Sequence, residues 1–293
     1  MERATTKAPK AATRGILVMS AGVACLCVND ALGKALGESY PVIQVLFLRN
    51  LIAFPIICLL LLKLGGRPAF RSHRPVAHVA RAALWLGAAM MFFSSFQYLG
   101  LAEATALAFI APILLTALSA LVLKEHVGWR RWSAVLVGFV GVLIVVRPGT
   151  STFQTAALLP IATAFFYAVL MISARWVDPR ESMWTLMLYQ VGIAMILSAM
   201  IVPFIWVDVR SEHIGLFLAI AFFGTAGMTL ITQAFRFASA SLLAPFDYAA
   251  LVWATLFGWF FWGELPDLVT YLGSAVIVAS GLFIIFREHQ LEN

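Results

Sequence analysis

The chain has 293 residues, of which 62% are hydrophobic and only 12% charged, with a mean hydropathy of +0.94. Soluble domains carry roughly 25% charged residues, so an aqueous globule is excluded and the solvent of this fold is lipid. The formal net charge of +6 comes from Lys and Arg in short connectors rather than from a folded basic patch, which excludes nucleic acid as a partner and leaves the charge to report orientation.

Runs of about twenty apolar residues predict ten membrane-spanning helices. They cover Gly15 to Leu36, Pro41 to Leu64, Val79 to Leu99, Ala102 to Leu123 and Trp132 to Val146, where Pro148 and Gly149 stop the fifth. The other five are predicted at Thr155 to Ala174, Trp184 to Val207, Ile214 to Phe237, Ser239 to Trp262 and Leu268 to Phe286. No stretch alternates as a strand would, and helices satisfy every backbone group internally in lipid. The expected fold class is therefore all-α integral membrane. The longest connector, Gly65 to His78, holds Arg67, Arg71, His73 and Arg74 and reads as a basic loop.

An even helix number puts both termini on one side, and that side collects most of the Lys and Arg, from Arg3, Lys7, Lys10 and Arg14 to Arg236 and Arg287. The opposite loops hold Arg147 and Arg210. By the positive-inside rule the termini are expected in the cytoplasm, with Trp206, Trp259 and Trp262 at the outer interface and Trp129, Trp132 and Trp184 at the inner one. The basic start is expected to lead into an uncleaved first helix, because the apolar run exceeds a signal core and contains Asn29 and Asp30. Cys25, Cys27 and Cys58 all fall in helices and are expected to pack rather than to form disulfides or bind metal.

Two halves of the chain echo each other. Gln97, Thr105 and Pro112, followed by Lys124-Glu125, correspond to Gln233, Ser241 and Pro245, followed by Gly263-Glu264; each segment leads into a glycine-containing helix ending in Arg147 or Arg287. Pro55 and Pro203 occupy the matching second helices. Five helices per copy is an odd number, so the second copy enters the membrane inverted, and a substrate site is expected near mid-membrane between the copies. The expected organisation is a cytoplasmic tail at 1–14, a first five-helix repeat at 15–147, a second, inverted repeat at 155–287 and a second cytoplasmic tail at 288–293.

These paired segments, Gln97 to Glu125 and Ser239 to Glu264, resemble the drug/metabolite transporter superfamily, and within it the ten-helix exporters with two EamA-type repeats. The resemblance covers about the whole chain and implies an alternating-access carrier in a bacterial inner membrane that exports amino acids or similar small metabolites. The run Ala244-Pro245-Phe246-Asp247-Tyr248 looks most like members linked to amino-acid export.

Asn29, Asp30, Arg49, Gln190, Gln233 and Asp247 place polar or charged groups at hydrocarbon depth, where a charge costs roughly 2.5–3.5 kcal/mol on insertion scales and so lines a polar cavity or finds a partner. Asp30 could meet a substrate ammonium or take up a proton; alternatively it pairs with Lys34 one turn later. Lys34 itself could snorkel to the interface. Arg49 suits a carboxylate, either of the substrate or of Asp30 or Glu103. Asp247, between Pro245 and Tyr248, fits either a kinked cavity wall or a local hydrogen bond near the interface. Tyr98, Tyr167 and Tyr248, with Phe246, are candidates to stack on cargo, since a buried phenol also seeks a polar partner.

Gln97, Tyr98, Glu103 and Thr105 crowd one short link, and Gln233 and Arg236 the matching one, as opposite gates or as contacts to headgroups. Asp30, Glu103 and Asp247 are the candidates for proton coupling. No Walker-type loop and no metal-spaced His pair occurs, so neither ATP, a metal nor another cofactor is expected. The expected partners are a small-molecule substrate and the bilayer, around a monomer. The alternative class, an intramembrane enzyme, would require Asp30 and Asp247 to face one cavity.

Overall fold

The computed structural model describes residues 7–64, 70, 72–124, 128–148, 154–178, 181–238 and 240–292. Glu125 and Ser239 of the echoed segments, and Arg67 and Arg71 of the basic connector, lie outside the described residues.

Among the described residues the chain is helical throughout, without a strand. The first half forms α1 (Lys7–Gly37), α2 (Val42–Leu64), α3 (Pro75–Ser95), α4 (Leu101–Ala108), α5 (Ala111–Val122) and α6 (Trp129–Val146). The second half forms α7 (Leu158–Ile172), α8 (Met183–Ala199), α9 (Ile214–Ala234), α10 (Ala240–Asp247), α11 (Ala249–Trp262) and α12 (Leu268–Glu292). Seven helical stretches are long and apolar enough to cross a membrane, with shorter apolar helices at Trp132–Val146 and Leu268–Ile284. The protein is a multi-pass membrane protein.

Three predicted helices differ in form. The fourth and ninth are each broken, at Phe109-Ile110 between α4 and α5 and at Tyr248 between α10 and α11. Pro112 lies in the first turn of α5, where its missing N–H leaves Ala108 without its usual acceptor role. Pro245 sits inside α10 one turn before the second break. The breaks meet: the Phe109 and Tyr248 rings lie 4.6 Å apart. The predicted seventh helix ends at Ala199, and Pro203 falls in a short 3-10 turn instead. Beyond it, Val207 lies outside any helix and is held by Gln44, whose Nε2 donates to the Val207 carbonyl at 2.6 Å while its Oε1 accepts from the Val207 N–H at 2.9 Å.

Helix pairing crosses the halves in a mirrored way. α1 packs on α9 and α3 on α7, while α2 packs on α8 and α6 on α12. The last pair approaches closely because glycine meets backbone: a Cβ at Gly141 would stand 3.0 Å from the Gly273 carbonyl, and one at Gly273 2.9 Å from that of Gly141. Buried Leu36, Leu46, Leu101, Leu107, Ile110, Ile113, Ile220 and Ile277 fill the core between these pairs.

Candidate functional site

A cavity of about 260 Å³ opens between six helices, three from each half of the chain. Asn29 and Asp30 reach it from α1, Arg49 and Asn50 from α2, Trp85, Phe92 and Phe93 from α3, Thr163 and Tyr167 from α7, Met187 and Gln190 from α8, and Gly224, Thr225 and Met228 from α9. Apolar walls thus surround a short polar strip.

Within the strip, Asn29 donates through Nδ2 to Asp30 Oδ1 at 3.0 Å, which turns its own Oδ1 away with no hydrogen-bond partner. Arg49 makes no hydrogen bond or ion pair among the described residues; its guanidinium lies 5.4 Å from the Trp85 ring centroid and interacts with Asp30 only at longer range. A cation on an aromatic face gains roughly 0.5–2 kcal/mol, less than the roughly 2.5–3.5 kcal/mol that such a charge costs at mid-membrane. The remainder has to come from Asp30, from water in the cavity or from cargo. Gly224 gives the strip its room, because a Cβ there would stand 2.7 Å from Asn29 Oδ1 and 2.9 Å from Arg49 Nη2.

Five of the sequence candidates, Asn29, Asp30, Arg49, Tyr167 and Gln190, therefore share one cavity. The others stand elsewhere. Asp247 is exposed at the end of α10, outside the cavity lining, though close enough to act electrostatically on Tyr167. Phe246 packs on a cluster with Met19, Val23, Cys27 and Leu243. Tyr248 is buried against Phe109, its hydroxyl pressed towards Gly281. Gln233 is half-buried near the end of α9. Tyr98 and Glu103 border a second, more polar cavity of about 440 Å³ beside Gln97, Gln154 and Glu264.

The Asp30–Lys34 pairing and the snorkelling of Lys34 are both corrected. Lys34 is buried, its Nζ 2.5 Å from Glu264 Oε2 and 3.5 Å from the Leu99 carbonyl, below the Trp262 ring at 5.0 Å. Helix α1 turns successive residues by about 100°, and the short α11–α12 link brings Glu264 to the Lys34 face. Arg49 likewise pairs with neither Asp30 nor Glu103 at contact distance.

Asn50 shares the signal that marks Gln190, an amide at hydrocarbon depth, and lies beside Arg49; it is 1% exposed with Nδ2 unpartnered. Gly224 carries no signal in sequence, since nothing distinguishes it from other helical glycines until Arg49 is placed against it.

A helical membrane bundle with a polar strip in a cavity between its halves fits a solute carrier, and known families and relatives point to the same class. The EamA-like transporter family matches the chain twice, at residues 13–147 and 154–286. The chain belongs to this family. It is 30% identical over 270 residues to a riboflavin transporter of Vibrio cholerae, covering 91% of each chain. To an S-adenosylmethionine uptake transporter of Rickettsia prowazekii it is 27% identical over 261 residues, covering 89% of this chain and 88% of the relative. A pseudopaline exporter of Pseudomonas aeruginosa is 27% identical over 273 residues, covering 91% and 94%. One crystal structure, at 21% identity, aligns with a TM-score of 0.63 over 96% of this chain and 99% of the other, which shows a shared fold.

Proposed function

We propose that this protein is a secondary carrier that exports amino acids or similar small metabolites across a bacterial inner membrane. The observation that carries the reading is the cavity itself, which takes α1, α2 and α3 from one matched segment and α7, α8 and α9 from the other and holds unpaired polar groups at its centre. Ten spans in two oppositely oriented repeats account for the mirrored packing of α1 on α9 and α7 on α3, and rocking of one repeat against the other exposes the cavity to each side in turn. The Lys and Arg asymmetry supports cytoplasmic termini and an outer position for the Lys34–Glu264 pair. The chain acts as a monomer. Asp30, Glu103 and Asp247 carry any proton coupling, and Asn29, Asp30, Arg49, Tyr167 and Gln190 meet the cargo, with Tyr98, Gln233, Phe246, Asp247 and Tyr248 along its route. The named relatives support small organic metabolites as the class of cargo, and include both uptake and export.

Counterflow in proteoliposomes tests this reading. Loading the vesicles with each common L-amino acid in turn should drive accumulation of the labelled one, recovered chemically unchanged. Absence of exchange across the whole set would remove amino acids as cargo, and chemical conversion of the label would point to an enzyme.

A further inference from the structure

Arg49 and Asn50 are consecutive on α2, and both face the central cavity. Both are donors without acceptors: Arg49 has no hydrogen-bond or ion-pair partner among the described residues, and the Asn50 Nδ2 is buried and unpartnered. The buried acceptor Asn29 Oδ1 is also unpartnered, beside the Asp30 carboxylate. Orphaned buried polar atoms are rare in native folds and ask for a ligand or ordered water. Here they separate by sign, with donors on α2 and acceptors on α1.

We infer that Arg49 and Asn50 form a seat for a carboxylate, so that the cargo must carry an ionised carboxylate as well as an ammonium group facing Asp30. The inference rests on the carrier reading and narrows it. A guanidinium fork matches the two oxygens of a carboxylate in one plane, and the neighbouring amide adds a third donor. A zwitterion placed between the two poles neutralises both intramembrane charges at once. An amine alone leaves Arg49 unpaired, and a carboxylic acid alone leaves Asp30 unpaired, each at the expense of a desolvated charge. Gly224 belongs to the seat, because a methyl there would stand 2.9 Å from Arg49 Nη2 and 3.0 Å from its Nε and push the guanidinium off the α9 backbone. Trp85 limits its swing on the other side.

The test compares, in proteoliposomes of the full chain, counterflow of each exchanged L-amino acid with its primary amide, which keeps the ammonium and lacks the carboxylate. The wild type should prefer the acid by on the order of tenfold or more, the worth of a hydrogen bond to a charged group. Asn50→Ala should bring the acid down towards the amide, lowering transport of the acid more than that of the amide. Asn50→Asp supplies Arg49 with an internal carboxylate, so it should raise amide transport above wild type while lowering that of the acid. A merely structural residue would not invert the preference. Equal transport of acid and amide by the wild type, or an equal fall of both in Asn50→Ala and Asn50→Asp, overturns the seat and leaves the carrier standing. Failure of every amino acid and amide to exchange overturns the carrier reading for this cargo and the seat with it. Thermal shift of the purified protein gives a second readout that does not depend on flux: the acid should stabilise the wild type more than the amide, and no such difference in a folded, stable sample counts against the seat.

Discussion

At the Glu264 end of the bundle, Lys34 meets Glu264 and Arg147 meets Asp267, each at 2.5 Å, whereas half-way along the same bundle Arg49 and Asp30 share a cavity without forming an ion pair. The opposite end repeats the pattern of the first. There His78 Nε2 lies 2.5 Å from Glu181 Oε2, and the other carboxylate oxygen accepts from the Ser72 hydroxyl at 2.9 Å and the His73 N–H at 2.6 Å. Charges that only hold helices together gain most when they are satisfied internally. Charges left open in the centre weaken the fold and are understandable if something that comes and goes satisfies them. The contrast is between ends whose charges are satisfied and a middle whose charges are not, without reference to residue type.

The largest effect is expected at Asp30. Asp30→Asn keeps the shape of the side chain and its contact with Asn29 while removing the charge that faces Arg49. Flux should fall roughly ten- to a hundredfold, as for loss of a hydrogen bond to a charged group. The midpoint of thermal unfolding in detergent should fall less than for loss of the Lys34–Glu264 pair, because no contact ion pair is lost. A variant that loses several degrees along with its flux would place Asp30 among the structural charges instead.

Lys34→Met should do the reverse. Breaking a fully buried pair costs about 3–5 kcal/mol, but the Glu264 side chain is 38% exposed, and solvent screening reduces the expected loss to about 1–2 kcal/mol. That is a fall of a few degrees in unfolding midpoint. Lys34→Met with Glu264→Met should recover part of it, since two apolar side chains leave no charge unpaired. If the double variant is no more stable than the single, the pair is not what holds α1 to the α11–α12 link.

The same contrast marks how much was legible in sequence. Composition and apolar run length located the helices, because lipid as solvent leaves a chain few alternatives to them. Depth in an apolar run brought Asn29, Asp30, Arg49, Gln190, Gln233 and Asp247 into view; the first four line the cavity and the last two do not. Pairing was not legible. Lys34 and Glu264 lie 230 positions apart, and a helical sequence shows Asp30 one turn from Lys34 but not which face turns to α11. Tyr248 and Phe246 are polar or aromatic neighbours of Asp247, yet Tyr248 packs against Phe109 and Phe246 against the Met19 cluster. Helix breaks depend on tertiary contacts as much as on Pro112 and Pro245, so the residues beside them were the least predictable.

Glu181 ties the satisfied end of the bundle to pH. Burial acts to raise its pKa, but the His73 N–H, His78 and the Ser72 hydroxyl outweigh that and hold it below the ordinary carboxylate range. A depressed folded value means that the stabilisation is present above the unfolded value of about 4.3 and is lost as pH falls through the folded one. Unfolding midpoints of the wild type should therefore exceed those of Glu181→Gln at pH 7, and the gap should close as the pH is taken below about 4. A gap that stays constant down to that pH would show that shape rather than charge joins the two connectors.

The smallest effect is expected at Asp267, where two contributions can be told apart. Its carboxylate is held well below the ordinary range, first by Arg147 and then by the Thr270 side chain and N–H. It also caps α12, accepting from the Thr270 N–H at 2.9 Å. Asp267→Asn keeps a good capping oxygen and loses only the ion pair, which is half exposed on the Asp267 side at 52% and so contributes roughly 0–1 kcal/mol after screening. Asp267→Ala loses the cap as well, for roughly 1 kcal/mol more. Unfolding midpoints should therefore fall in the order wild type, Asn, Ala, with the larger step between Asn and Ala. A larger first step would mean that the end of the bundle is held by the charge rather than by the cap, and that the Arg147 pair resembles Lys34–Glu264 in strength despite its exposure.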